Sequence, residues 1–275
     1  MLVWSEILLR LGAGFLWLAF VSNIYQLGRK SIQLRRMGVF SSRCGWVLLT
    51  LSLMARGIAL GHLTFHTLFD TIFLFSWITL TIYIYFEWRH GWPVLGAVVL
   101  GMLAITSFIL LLLPRGIQPL LPILQSRVLV LHIALNFTAY GAFALSFIFG
   151  LMYLGQELQL KKKRITALYY LLPGLETLEN LTDILARIGF TLLTLGIALG
   201  SIYAKFAWSS FWDWNVKETW TLLIWIIYAI FIYLRHVKAW RGKRSVVWVL
   251  IGFAAVIINY FGISLKLATE HRFLR

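Results

Sequence analysis

The sequence predicts an all-α fold, a polytopic integral membrane bundle of about eight transmembrane helices with both termini on the outer side. Three observations predict it. The 275-residue chain is 60% hydrophobic and 13% charged, with mean hydropathy +0.83, whereas soluble domains carry about 25% charged residues. Windows of about 20 apolar residues, the length that crosses a hydrocarbon core, recur along it. The segments between them alternate in charge, and basic segments stay on the cytoplasmic side.

The first span covers about residues 8–28. No basic segment precedes its apolar stretch and no small-residue cleavage site follows, so MLVWSEILLRLGAGFLWLAF reads as a retained span. Arg29, Lys30, Arg35, Arg36 and Arg43 then mark a cytoplasmic loop. Spans two and three, about 45–61 and 67–86, meet at an outer junction that holds His62 and His66, and Arg89 follows on the cytoplasmic side. Span four covers about 93–113, and span five, about 127–154, carries His132 near its outer end.

Lys161, Lys162, Lys163 and Arg164 open the longest cytoplasmic connection, Gln156 to Asp183. Its stretch LETLENLTDILARIGF has apolar residues at helical spacing, which predicts an interfacial helix leading into span six, about 186–207. Span seven covers about 218–236 and is followed by Lys238, Arg241, Lys243 and Arg244; span eight covers about 246–266, with His271 in an outer tail. No repeat or Pro/Gly/Ser-rich linker divides the chain, so 1–275 reads as one domain, with a tryptophan-rich outer loop at about 205–220.

Several functions are disfavoured by the same residues. One cysteine, Cys44, excludes an internal disulfide and a CxxC redox pair. The net charge of +15 is explained by topology and calls for no nucleic acid partner. A solute transporter would want charges in mid-span, and the candidates, Arg10 and Arg56, are equally explained by pairing within the bundle or snorkelling.

The cluster around the loop WSSFWDWNVKETW, residues 208–220, exceeds an aromatic belt, because Trp208, Trp212, Trp214 and Trp220, with Trp225 just beyond, are joined by Asp213, Asn215, Lys217 and Glu218. Indoles offer a flat face to a large ring, Lys217 can pair with an anionic propionate, and Glu218 suits a helix N-terminus. His132 and His271 flank the loop in sequence, and two neutral imidazoles can ligate haem iron from opposite sides. How the helices pack decides whether they do.

The loop resembles the tryptophan-rich signature of the cytochrome c assembly protein family, the WWD domain of haem-handling membrane proteins such as CcsA (ResC) and CcmC. That signature commonly reads W-G-x-x-W-x-W-D-P-K-E-T-W. The stretches LQSRVLVLHIALNFTAYGAFALSFIFGLMYL, ARIGFTLLTLGIALGSIYA and WRGKRSVVWVLIGFAAVIINYFGISL also look like spans of that family, and ALGHLTFHTLFDTIFLFSW is a weaker match. The resemblance covers most of the chain from about Ala59 onward and is greatest to the CcsA branch.

It implies that His132 and His271 are axial haem ligands, with Trp208, Trp212, Trp214, Lys217, Glu218 and Trp220 in a haem-facing loop. The family acid is Asn215 here, the proline is Val216, and Asp213 is a candidate substitute for the acid. The family's cytoplasmic-side histidine aligns with Tyr233, so either that site has slid one turn to His236 or this chain has lost it; His62, on the outer side, is a further haem-binding candidate.

The implied function is a haem-binding, haem-delivery subunit of cytochrome c maturation in the cell inner (cytoplasmic) membrane. Haem b would be held transiently on the outer face for attachment to apocytochrome c. A CcsB/ResB-type membrane partner and an outer thioredoxin-like protein would assist. The chain offers no nucleophile or acid–base pair to call catalytic, so its part in a haem-lyase complex would be position and ligation. The competing reading is a HemX-like membrane regulator of haem biosynthesis, which the altered WDWNVK favours and the intact KETW opposes.

Overall fold

A computed structural model of the chain describes residues 1–29, 31–62, 65, 67–115, 126–237 and 239–263, the last three without their side chains. Every regular element among the described residues is helical: α1 (Leu2–Arg29), α2 (Ile32–Leu60), α3 (Leu68–His90), α4 (Pro93–Leu112), α5 (Arg127–Lys161), α6 (Ala167–Leu171), α7 (Leu175–Trp208), α8 (Val216–His236) and α9 (Lys243–Ile257), which ends in a π-helical turn, Ile258–Ile263. Eight of them are long and apolar enough to cross a membrane, as the sequence predicts.

The helices outrun the apolar windows. α2 starts at Ile32 rather than near residue 45, so Arg35, Arg36 and Arg43 ride on an exposed helical face instead of a loop. Long basic side chains reach polar surroundings from a helix end, so charge does not terminate the helix. LETLENLTDILARIGF is likewise the first half of one continuous α7. No proline interrupts it, and its apolar residues Leu178, Leu185 and Ala186 are buried.

Two compact units result. The first comprises Met1–Leu120 with Ile165–Pro173, and the second Leu121–Arg164 with Gly174–Arg275. In the first, α1 packs on α2 and α4, and α3 on α4 and α2. Ser5 and Ser52 exchange hydrogen bonds between α1 and α2: Ser5 Oγ donates to the Ser52 carbonyl at 3.0 Å and Ser52 Oγ returns one to Ser5 at 2.7 Å. Trp46 and Trp77 stack between α2 and α3 at 6.3 Å, and the Trp77 indole donates to Thr50 at 2.8 Å. These two tryptophans therefore clasp helices and are more than an interfacial belt.

The charged residues inside this unit are paired. Arg56 Nε donates to Asp70 Oδ1 at 2.8 Å, with both side chains at most 5% exposed, and Thr67 donates to the other carboxylate oxygen at 2.7 Å. Thr67 is also the N-cap of α3, accepting from the Asp70 amide at 3.1 Å. Arg10 pairs with Glu6 one turn away at 3.6 Å. Arg56 is thus neutralised within the bundle, as burial of charge requires, whereas the Arg10 pair is exposed.

In the second unit α5 packs on α7 and α9, and α8 packs on α7 and α9. Its centre is an aromatic pair, Phe143 of α5 stacked on Tyr228 of α8 with centroids 3.7 Å apart and planes 9° apart. Each ring lies on a glycine. A methyl on Gly189 of α7 would fall 2.5 Å from Phe143, and one on Gly252 of α9 would fall 2.8 Å from Tyr228. Small residues let backbones close on bulky neighbours where lipid gives no hydrophobic drive for helix association.

Candidate functional site

The site is built where α5 begins and α7 gives way to α8. α7 ends at Trp208 with Ser209 in the left-handed conformation, φ 62°, its carbonyl capped by Lys205 Nζ at 3.0 Å. Ser210 then accepts from the Trp212 amide at 3.3 Å, which folds the loop back. Trp214, φ 55°, makes the last turn before α8.

Asn215 is the N-cap of α8. Its Oδ1 accepts from the Glu218 amide at 2.9 Å, while Glu218 Oε2 accepts from the Asp213 amide at 2.8 Å. This is a capping-box logic displaced by two residues. Asn and Asp are equivalent N-caps, so Asn215 fills the structural place of an acid at that position. What Asp213 contributes to the loop is its backbone N–H.

Beside this loop lies a cavity of about 270 Å³. It gathers His132, Trp208, Trp212, Asn215, Lys217 and Glu218 from the residues singled out in the sequence. Leu129, Ile197, Tyr203, Ala204 and Phe211 supply further, mostly apolar wall. The Trp208 ring stands edge-on to Tyr203 at 5.7 Å, and Trp212 edge-on to Trp214 at 6.0 Å.

His132 is fixed by α7. A methyl on Gly200 would fall 2.5 Å from its Cε1, so the ring lies directly on that backbone. Its Nδ1 is 2.6 Å from the carbonyl oxygen of Gly196. That oxygen only accepts, so Nδ1 carries the proton and Nε2 keeps a lone pair for a Lewis acid. Asn136, one turn further on α5, places its carboxamide nitrogen over the imidazole face, 3.1 Å from Nε2 and 3.3 Å from Nδ1.

Two buried polar atoms of the cavity residues, Asn136 Oδ1 and Trp212 Nε1, have no hydrogen-bond partner among the described residues. A buried indole N–H without an acceptor is costly unless a ligand supplies one. The donor set therefore suits a flat, largely apolar ligand with a metal centre for His132 and an anionic edge for Lys217 and the Trp212 N–H.

Other predicted site residues lie elsewhere. Asp213, Trp214 and Trp220 belong to the loop and the first turn of α8 but do not line the cavity, and Trp214 is 70% exposed. Trp225 faces α7, donating to Thr194 at 2.9 Å and packing on Phe190. His236 is at the opposite end of α8, roughly 30 Å from Asn215 by helical rise. There it meets Asp183 at 3.5 Å, beside a network in which Arg235 binds Glu179 and Glu179 accepts from the Gly242 amide at 2.9 Å. Glu179 and Asp183 of LETLENLTD are the partners of that basic end. His62 belongs to the first unit and is half-buried. His66 and His271 lie outside the described residues.

Sequence reasoning missed Asn136 and the two glycines. The signals were present: Asn136 follows His132 by one helical turn, and Gly196 and Gly200 share one face of α7.

The family model described as cytochrome C assembly protein matches residues 65–270. The cytochrome c biogenesis protein CcsA of Guillardia theta is 30% identical over 247 residues, covering 83% of this chain and 82% of that protein. The protein of the same name from Trieres chinensis is 28% identical over 282 residues, covering 90% of each. Among solved structures, cytochrome c heme lyase CcmF shares the fold at TM-score 0.66 and 13% identity, over 94% of this chain. The present chain spans 46% of that longer one.

Proposed function

The chain belongs to the cytochrome c assembly protein family, and we propose that it serves cytochrome c maturation as the subunit that holds haem on the outer membrane face and presents it to apocytochrome c. One observation carries the proposal. A single cavity joins the imidazole of His132 to the tryptophan-rich loop and to the Lys217–Glu218 start of α8.

In this reading haem b is the substrate, held only until delivery. His132 presents Nε2 to the iron, with the Gly196 carbonyl fixing the tautomer. Backing an imidazole N–H with an acceptor raises its strength as a ligand. Trp208 and Trp212 bound the macrocycle, the Trp212 N–H and Lys217 meet its propionates, and Asn215 and Glu218 keep the loop closed. Asp213, Trp214 and Trp220 complete the same loop. His271 supplies the second axial nitrogen. His236, paired with Asp183 at the far end of α8, is left out of this site.

Bound haem supplies the vinyl groups that react with the paired thiols of an apocytochrome CxxCH motif. The protein's share is to orient the ring, ligate the iron and thereby tune its potential. We place the chain in the cytoplasmic membrane as one assembly domain, residues 1–275, with both termini and the tryptophan loop outside. A CcsB/ResB-type subunit is its proposed membrane partner, with an outer thioredoxin-like protein keeping the thiols reduced.

Protein extracted from membranes should carry haem with a bis-imidazole absorption spectrum. His132→Ala and His271→Ala should each abolish that spectrum and cytochrome c assembly together. If both variants keep the spectrum and the assembly activity, the assignment fails.

A further inference from the structure

The first turns of α2 carry a stripe of mixed chemistry. Ile32, Arg35, Arg36, Phe40 and Arg43 fall at spacings that share one helical face. With Glu87 from the last turn of α3 they line a groove of about 440 Å³ in the first unit. The groove holds three guanidinium groups against one carboxylate. Glu87, its side chain 11% exposed, pairs with Arg43 at 3.4 Å, which leaves Arg35 and Arg36 without a carboxylate partner among the described residues. Arg35 reaches across to the end of α3, where a methyl on Gly91, the left-handed C-cap, would collide with its guanidinium. The apolar members of the stripe, Ile32 and Phe40, are exposed beside these cations.

We propose that this groove binds the phosphate of an anionic glycerophospholipid, with Arg35 and Arg36 on the phosphate and Ile32 and Phe40 along the acyl chains. Helix length puts the groove at the right depth. The 29 residues of α2 extend roughly 43 Å by helical rise, against about 30 Å of hydrocarbon. The start of α2 and the end of α3 therefore reach the headgroup layer together, and the groove lies between them. Guanidinium forks offer paired N–H donors that match phosphate oxygens. A soluble phosphate would use the cations alone, whereas a lipid phosphate also brings chains for the exposed Ile32 and Phe40. Glu87 competes with the phosphate for Arg43 and so limits the affinity of the site.

The test is native mass spectrometry of the full chain in nonionic detergent, titrated separately with dioleoyl phosphatidylglycerol, dioleoyl phosphatidylcholine and inorganic phosphate. The first phosphatidylglycerol should bind more tightly than either of the others. Arg35→Gln combined with Arg36→Gln should weaken it about 25-fold, at about fivefold for each arginine. Lys162→Gln combined with Arg164→Gln removes the same charge from an exposed turn and should leave it unchanged. Phe40→Ala should weaken the lipid but not inorganic phosphate. Glu87→Gln should bind the lipid more tightly, a direction that damage to the fold does not produce. Wild-type affinity in the Arg35 and Arg36 double variant overturns the site, and so does an equal loss in the Lys162 and Arg164 variant, which would reduce the effect to net charge. Failure of Glu87→Gln to tighten binding would sink it too. Phosphatidylcholine binding as tightly as phosphatidylglycerol would show that the anion is not recognised. Inorganic phosphate binding as tightly as the lipid, with Phe40→Ala without effect, overturns the lipid in favour of a free anion.

Discussion

The imidazole of His132 rests on the backbone of Gly200, close enough that a β-carbon there would stand 2.5 Å from Cε1. The histidine is therefore positioned by a missing side chain on the neighbouring helix as much as by its own.

Gly200→Ala should push the ring off α7 and break its bond to Gly196. The expected result is loss of most co-purified haem while the protein remains folded, at an overpacking cost of about 1–3 kcal/mol. Gly155→Ala in α5, where an added methyl meets nothing within 4 Å, is the control and should retain wild-type haem content. Haem absorbance per protein in both variants checks this.

Asn215→Asp should preserve loop geometry and haem retention, because both residues cap α8 through a side-chain oxygen. Asn215→Ala should cost about 1 kcal/mol locally and release the Glu218 contact to Asp213 as well. Faster proteolysis within residues 209–215 of the Ala variant, with the Asp variant at the wild-type rate, would bear this out.

Asp70→Ala should be among the most damaging single changes in the first unit. It strands a buried Arg56 guanidinium and costs about 3–5 kcal/mol. Arg10→Ala, which breaks an exposed pair one turn long, should change stability by less than about 0.5 kcal/mol. Melting temperatures in detergent compare the two directly, and equal effects would contradict the burial argument.

Phe143→Ala should destabilise the second unit by about 3–5 kcal/mol, since it empties the space between Gly189 and Tyr228. Phe143→Leu should recover a large part of that loss. Thermal unfolding followed by circular dichroism reports both, and an unaffected Ala variant would show that the stacked pair is not the core.

The amino-acid sequence by itself determined the eight apolar helices, because crossing a hydrocarbon layer imposes a length and composition that each segment must meet alone. It also determined the cap of α8, since the Asn215-x-x-Glu218 spacing acts within one turn. Helix limits were less legible: Arg35 and Arg36 read as loop residues and Glu179 as part of an interfacial helix, yet long charged side chains leave a helix end without breaking it and α7 runs on unbroken. Only the tertiary structure decided what surrounds His132. Gly196 and Gly200 reach it through the register of α5 against α7, a relation between residues 64 apart in the case of the Gly196 bond. Tertiary packing likewise paired His236 with Asp183 and turned Trp225 to Thr194, away from the loop. Hydropathy fixes which segments are helices, but small-residue contacts fix which faces meet, and a binding site is made of faces.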